Sequence, residues 1–429
     1  MKVQDILFEK MYQNNENRLR ELKKNLKNTD SNGEWSLCLG AGVSISAGLP
    51  DWYGLLARIT AQIIPDEILF KLQHNTIALQ TNVSESGDME SAESEQLDDS
   101  QAFQADVENF YKNLDTAGTD KEYLEKHEAA QSGKYKYVFE NINVLESAEY
   151  VRNYIDQLLQ PENSSKENEG TAERNINWHI NYFIRQSCLH SLKYSMDSEE
   201  MKKSALGAAA RLLKSDTDSI IHDVITYNYD NLLEEYLRVN CGCDAEKVHS
   251  VIKTDVLPRF GDQEAWNIYH VHGRIPVFDC QKEPRSKEVI LTESDYYKEE
   301  RINYSWTNTI QSYVLGRANV IFIGFSGTDY NFRRLLKYIR RDRNNAHKRY
   351  IFFSVDDIVN AVFGGLEKAD GSVSECIKIM NQNNGRYAYE KLMINYLIHA
   401  QTIYWFKNGI EVIWSSHEEL PYNLDSLHL

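Results

Sequence analysis

Cysteine is scarce in this chain, with six among 429 residues: Cys38, Cys188, Cys241, Cys243, Cys280 and Cys376. So few, so widely scattered, do not make a disulfide framework. Long hydrophobic runs are also missing, and no stretch approaches the roughly 18 uninterrupted apolar residues of a spanning helix, so no membrane role is expected. The opening Met1-Lys2-Val3-Gln4-Asp5-Ile6 has an early acid and no apolar core of a secretory signal, so a cytoplasmic protein is expected. Positive charge is in deficit: 47 Lys and Arg against 64 Asp and Glu leave a net charge of −17. That balance argues against nucleic-acid binding by the whole surface, and no direct sequence-specific contact with nucleic acid is expected. What remains is an ordinary globular composition, 42% apolar and 26% charged, at a length suited to one large or two ordinary domains.

The pattern along the chain predicts an α/β domain interrupted by a helical insert. Residues 1–33 read as an N-terminal helical extension, with Leu19, Leu22 and Leu26 at helical spacing. Residues 34–65 and 205–429 read as one α/β domain. Its apolar runs are Trp35–Leu39, Val224–Thr226, Val289–Leu291, Asn319–Ile323, Tyr350–Phe353 and Ile410–Trp414. They alternate with helical patterns, which implies a doubly wound parallel sheet covered on both faces. Residues 66–204, poor in glycine and proline, read as a helical insert. It holds nine acids from Glu85 to Glu108 with no Lys or Arg between Lys71 and Lys112, read as a solvated acidic loop, and a polar loop from Pro161 to Asn175.

The most informative segment is Gly40-Ala41-Gly42-Val43-Ser44, between a predicted strand and, after Gly48-Leu49-Pro50, a predicted helix capped by Asp51. Glycines 40 and 42 permit a tight turn and close approach of phosphate oxygens, and Ser44 can donate to one of them. The ordinary dinucleotide fingerprint wants a third glycine at position 45, where Ile45 stands, and no Gly-Lys-Ser/Thr follows to make a P-loop.

That turn resembles the sirtuin superfamily signature, a GAG-x-S turn followed by glycine, an aliphatic residue, proline and aspartate. Three further elements resemble that family in order: Asn228-Tyr229-Asp230, His272-Gly273, and Gly324-Phe325-Ser326-Gly327-Thr328-Asp329. The resemblance spans roughly 34–65 and 205–416 and implies a Rossmann-like, sirtuin-like fold. It departs from the deacetylases, which hold zinc with two Cys-x-x-Cys pairs after the His-Gly element. Here Cys241-Gly242-Cys243 precedes the histidine and Cys280 stands alone, so no zinc is expected. Asp51-Trp52-Tyr53 also replaces the family's Asp-Phe-Arg. Thr226-Tyr227-Asn228-Tyr229-Asp230 and Leu291-Thr292-Glu293-Ser294-Asp295-Tyr296 are more similar to the sirtuin-like NAD⁺ hydrolases of prokaryotic antiphage defence.

The resemblance implies that Gly40, Ala41, Gly42, Ser44, Asp51, Trp52, Asp230, Gly324, Ser326 and Asp329 bind NAD⁺, with Asp230 on the nicotinamide carboxamide. Asn228 and His272 are the expected catalytic pair, one positioning water and ribose, the other taking a proton. It implies abortive infection by NAD⁺ depletion, and a homo-oligomer working with a separately encoded partner such as a HerA-type ATPase. An NAD-dependent protein deacylase and a non-catalytic NAD or ADP-ribose sensor are the alternatives. Plainer readings stand beside these. Asn228 and Asp230 suit a strand-to-helix turn, and Ser326 and Asp329 suit a helix cap. His270 and His272 alternate on one strand face, but no third histidine or nearby carboxylate completes a metal site, so His270 reads as a packed or hydrogen-bonded neighbour. Eight basic residues between Arg333 and Arg349 read as a solvated helix face.

Overall fold

The computed structural model describes residues 2–27, 34–63, 142–159, 169–214, 221–253, 265–277, 289–301, 305–327, 329–340, 347–363 and 388–427. The acidic stretch Glu85 to Glu108, Cys280, Cys376, Thr328 and the basic residues Arg341 and Arg343 lie outside them. The chain divides into two compact units. One takes Met1–Leu49, Leu192–Phe278 and Tyr296–Leu429; the other takes Pro50–Ser191 and Asp279–Asp295.

Among the described residues the first unit holds seven strands: β1 (Trp35–Leu39), β2 (Ile221–Thr226), β3 (Val248–Val251), β4 (Trp266–His270), β5 (Asn319–Ile323), β6 (Arg349–Ser354) and β7 (Glu411–Ser415). They form one sheet in the order β3-β4-β2-β1-β5-β6-β7, and every pairing is parallel. Leaving out edge strand β3, this is the doubly wound Rossmann order. The chain runs from β1 toward β2 on one side and from β5 toward β6 on the other, so β1 and β5 flank the point where the winding reverses. Such a point leaves a crevice above the carboxyl ends of the strands.

β1 and β5 are buried at every residue, which is why they read as unbroken apolar runs. On one face Cys38, Ile225, Tyr269, Phe322, Ile351 and Val412 share a core with Ile310, Phe332, Ile358 and Ile398 from four covering helices. On the other face Trp35 stacks on Tyr350, ring centroids 6.3 Å apart. There Asn25 of the helix Glu9–Lys27 donates to the Tyr350 hydroxyl at 2.8 Å.

That first helix is a covering layer of the α/β unit. Leu22 and Leu26 are buried, and the Asn15 side chain meets the outer edge of β7 as another strand would. It donates to the Trp414 carbonyl at 2.9 Å and accepts from the Trp414 N–H at 2.6 Å. Among the described residues β7 is an edge strand, and the Asn15 amide pairs that edge at Trp414.

Two local expectations are corrected. Val289–Leu291 is not a strand. Thr292 and Asp295 form a reciprocal capping box, Asp295 N–H to Thr292 Oγ1 at 3.3 Å and Thr292 N–H to Asp295 Oδ2 at 3.0 Å, which starts the helix Glu293–Arg301 and turns the chain out of extended geometry. The polar stretch from Pro161 to Asn175 is not all loop either, because the helix Glu169–Ser191 takes in its second half. Polar residues alone do not stop a helix when no proline or cap intervenes.

The second unit contains the helices Trp52–Ile63, Val144–Leu159 and Glu169–Ser191, with Leu56, Ile59, Ile155, Phe183 and Ile184 buried. Arg152 pairs there with Asp295 at 2.9 Å.

Candidate active site

The four sequence elements lie at the carboxyl ends of four strands that are neighbours in the sheet, β4, β2, β1 and β5. Strand register explains the alignment. Thr226 pairs with His270, so Asn228 and His272 each overhang that pair by two residues. The Val271 N–H donates to the Thr226 carbonyl at 3.2 Å and the Tyr227 N–H to the Leu39 carbonyl at 3.0 Å, carrying the ladder past the strand ends.

The turns after β1 and β5 are pressed backbone to backbone. Gly40 N–H donates to the Ile323 carbonyl at 3.0 Å, and Gly42 N–H to the Gly324 carbonyl at 2.9 Å. Gly324 sits at φ +64°, and a Cβ there would lie 2.4 Å from the Val43 nitrogen; one on Gly40 would lie 2.5 Å from the Gly324 oxygen. The glycines are therefore required by the contact of the two turns, whatever else approaches them. The helix that follows, Ala41–Ser46, is short, and its Val43 N–H is engaged by the Gly40 carbonyl at 3.1 Å.

A closed hydrogen-bond group sits beside this contact. Asn228 Nδ2 donates to the Gly40 carbonyl at 3.1 Å and to Ser44 Oγ at 2.9 Å. Ser44 Oγ donates to Asp230 Oδ2 at 2.7 Å, and Asp230 Oδ1 accepts from the Leu232 N–H at 3.1 Å. The Gly40 carbonyl can only accept, so it fixes which end of the Asn228 amide faces it. Among the described residues nothing bonds Oδ1 of the half-buried Asn228, which is left as an acceptor. Ser44 has its proton on Asp230 rather than pointed at a ligand, and Asp230 also holds the Leu232 N–H in the strand-to-helix turn of the plainer reading, although Asn231 is the N-cap of the helix. Burial raises the Asp230 carboxyl, with the nearby Glu234 charge adding to that, against the lowering bonds from Ser44 and Leu232.

His272 is buried at 3% exposure. Its ring meets Tyr227 edge-on at 4.9 Å and Tyr296 at 5.4 Å. Nε2 lies 3.4 Å from the Tyr296 hydroxyl and 3.9 Å from Asp329 Oδ2, and Tyr296 donates to that same Oδ2 at 2.9 Å. Burial pushes the His272 imidazole below its ordinary value, while Asp329, Glu299 and the Tyr227 backbone pull the other way. Asp329 Oδ1 accepts from the Phe332 N–H at 2.7 Å and so caps the helix Tyr330–Arg340. Asp329 thus stands with His272 and Tyr296, and Ser326 is exposed at the same turn.

His270 and His272 part company once the strand ends. His270 Nε2 bonds Glu234 Oε1 at 2.8 Å, and its Nδ1 lies 3.4 Å from the Asn228 carbonyl. The same Glu234 oxygen accepts from Ser250 at 2.7 Å and Arg274 at 3.2 Å. The carboxylate held to be missing beside His270 is therefore Glu234, on the helix Leu232–Val239. Burial alone would raise its carboxyl, but His270, Arg274 and Ser250 outweigh that and hold it down at about 2. Sequence reasoning overlooked Glu234 and gave Tyr296 no role; the only local signal for Tyr296 was its place in the Leu291–Tyr296 element.

Asp51 and Trp52 begin a helix of the second unit, where Asp51 Oδ1 accepts from the Gly54 N–H at 2.7 Å as the expected cap. The basic segment is not simply a solvated face. Arg333 Nε donates to the Gly327 carbonyl at 2.5 Å and its guanidinium covers the Tyr404 ring at 5.9 Å. Lys348 pairs with Glu21 at 3.1 Å, and the buried Arg349 donates to the Leu315 carbonyl at 2.9 Å. Among the described residues no group of three or more His, Cys, Asp or Glu side chains is arranged to hold a metal ion. No helix searched among them is long and apolar enough to cross a membrane.

Residues 222–372 match the SIR2-like domain family, a span that takes in the Asn228, His272 and Gly324 elements and begins after the Gly40 turn. Defense-associated sirtuin 2 of Bacillus subtilis is 27% identical over 134 residues, 31% of this chain and 12% of that protein. The chain thus spans only a small part of the length of the curated relative it matches. Both findings agree with the sirtuin resemblance, and the family match covers three of its four turns: the chain is sirtuin-like in this region.

Proposed function

We propose that this sirtuin-like chain is an NAD⁺ glycohydrolase, releasing nicotinamide and ADP-ribose, and that it acts in antiphage defence by depleting NAD⁺. The observation that carries the reading is the placement of Asn228 and His272 on adjacent strand ends, at the crevice of a doubly wound sheet. In the reaction the bond between nicotinamide and the ribose anomeric carbon breaks, and its electron pair leaves with the nicotinamide nitrogen. Water adds its oxygen to that carbon and gives up a proton. Positive charge grows on the ribose meanwhile, as in glycoside hydrolysis. Asn228 Oδ1 is an acceptor that can orient the water or a ribose hydroxyl without a full charge. His272, kept neutral by burial, takes the proton. Since Tyr296 covers Nε2, the phenol either moves aside or passes the proton on.

The direct experiment incubates the purified protein with NAD⁺ and separates the products, with and without an acyl-lysine peptide. Nicotinamide and ADP-ribose in equal amounts without peptide support the hydrolase. O-acyl-ADP-ribose formed only with peptide would establish the deacylase, and no turnover with or without peptide, even after the neighbouring gene product is added, the sensor. Because the His272 imidazole titrates below its ordinary 6.5, its base form persists into mild acid. The acid limb of the kcat/KM profile is accordingly expected below pH 6.5, and a limb well above that value would take His272 out of the base role.

Zinc is not part of the proposal. Cys241-Gly242-Cys243 precedes the His272-Gly273 element and offers one closely spaced pair, where tetrahedral zinc takes four ligands. Elemental analysis is expected to find no stoichiometric zinc, and chelator is expected to leave the melting temperature unchanged. About one cysteine-bound zinc per chain would revive the deacylase reading.

We further propose a cytoplasmic homo-oligomer restrained until a separately encoded partner, such as a HerA-type ATPase, engages it. A freely active NAD⁺ hydrolase would exhaust an essential cofactor. Turnover is expected to rise at least tenfold when the neighbouring gene product is added, and full turnover by the isolated chain would remove the partner while leaving the catalytic assignment in place.

A further inference from the structure

The helix Ala388–Lys407 is apolar on two opposite sides. Ile394, Ile398 and Trp405 point into the core of the α/β unit, beside Phe332 and Phe353. The other side is exposed, yet it carries Tyr389 (71% exposed), Leu392 (59%), Tyr396 (69%), Ile403 (40%) and Phe406 (59%). With the exposed His399, these residues fall at alternating steps of three and four along the chain. That is the a/d spacing of a helix–helix seam, here over about 27 Å of helix at 1.5 Å per residue.

From this stripe we infer a self-association surface: a second copy of this chain lays the same helix against Tyr389–Phe406, pairing stripe with stripe. Three observations favour a second copy over another occupant. The spacing calls for a helix with its own a/d stripe, and this helix carries one. No Asp, Glu, Lys or Arg occupies a stripe position, so two copies of a chain with net charge −17 meet there without opposed like charges. The area is sufficient as well. At about 200 Å² per large side chain, the five with Met393 expose on the order of 650 Å² per copy. A pair then buries roughly 1,300 Å², above the ~1,000 Å² that marks a specific interface. Tyrosines at the centre of such a patch are the usual anchors. The inference does not depend on the NAD⁺ reading, because the stripe lies on a different side of its helix from the Arg333–Tyr404 contact that secures the Gly327 turn.

The test is molar mass by light scattering on the full chain at tens of micromolar. The unmodified chain is expected to be a dimer or a multiple of one. Leu392→Glu with Tyr396→Glu is expected to halve that mass while circular dichroism shows the same folded chain, since neither side chain is buried within its own copy. The control Tyr422→Glu, also exposed at 66%, is expected to leave it unchanged. Mixing the double-Glu chain with a Leu392→Lys, Tyr396→Lys chain is expected to restore the original mass, which only stripe-to-stripe pairing of two copies can do. A monomeric unmodified chain, including one that instead sediments with phosphatidylcholine–phosphatidylglycerol vesicles, overturns the inference. An oligomer unaffected by the Glu pair, or a Glu–Lys mixture that stays at half mass, overturns it equally.

Discussion

Alanine at His272 or at Asn228 is expected to lower NAD⁺ turnover about 10²–10⁴-fold, the scale of positioned acid–base and orienting groups. For His272 the loss falls mainly on kcat, because the buried ring touches Tyr227 and Tyr296 rather than making a broad binding surface. For Asn228 the substitution also releases the Gly40 carbonyl and Ser44, which its Nδ2 now holds. Asn228→Asp is therefore the sharper variant. It keeps the shape and the Oδ1 acceptor but sets a carboxylate oxygen against a carbonyl oxygen, so the Nδ2 donor and the neutral charge are both lost. Turnover by product separation, alongside circular dichroism to establish that each variant is folded, decides the matter. A folded His272→Ala chain with near-normal turnover would falsify the proton-accepting role.

Glu234→Ala is expected to cost about 3–5 kcal/mol of stability, the usual result of removing one member of a buried charged group. His270 and Arg274 would lose their shared acceptor, and Ser250 would lose its own. The titration points the same way. The Glu234 carboxyl is depressed from 4.5 to about 2 in the folded chain, a displacement worth on the order of 3 kcal/mol. A depressed carboxyl stabilises fully above its unfolded value and loses that contribution as pH falls, here between about pH 4.5 and 2. Denaturant midpoints measured across that window should converge for the unmodified chain and Glu234→Ala. Parallel curves, or a loss below 1 kcal/mol at pH 7, would show that the network contributes little. Glu234→Gln, which retains one acceptor oxygen, should fall between the two. Since His270 also lies against the Asn228 carbonyl, turnover in the Gln variant reports whether this buried group helps to place the Asn228 turn.

What the sequence determined by itself is what short range encodes. Five-residue apolar runs ending in glycine marked β1 and β5, because a strand buried on both faces needs no polar alternation. The Asp51 cap and the four turn motifs were legible for the same reason: each is complete within a few residues. The Thr292–Asp295 capping box was equally local, and was missed only because the apolar residues before it suggested a strand. The tertiary structure alone decided the pairings between distant residues. Nothing near Asn15 says that its amide will cover Trp414, 399 positions away, and nothing near Glu234 says that it will meet His270 and Arg274. Local pattern likewise justified Gly40 and Gly324 separately, whereas the sheet order brings β1 beside β5 and makes each glycine necessary to the other. The physical reason is the same throughout. Backbone periodicity and capping are properties of neighbours in the chain, while burial, charge compensation and close backbone approach depend on which strands the fold sets side by side.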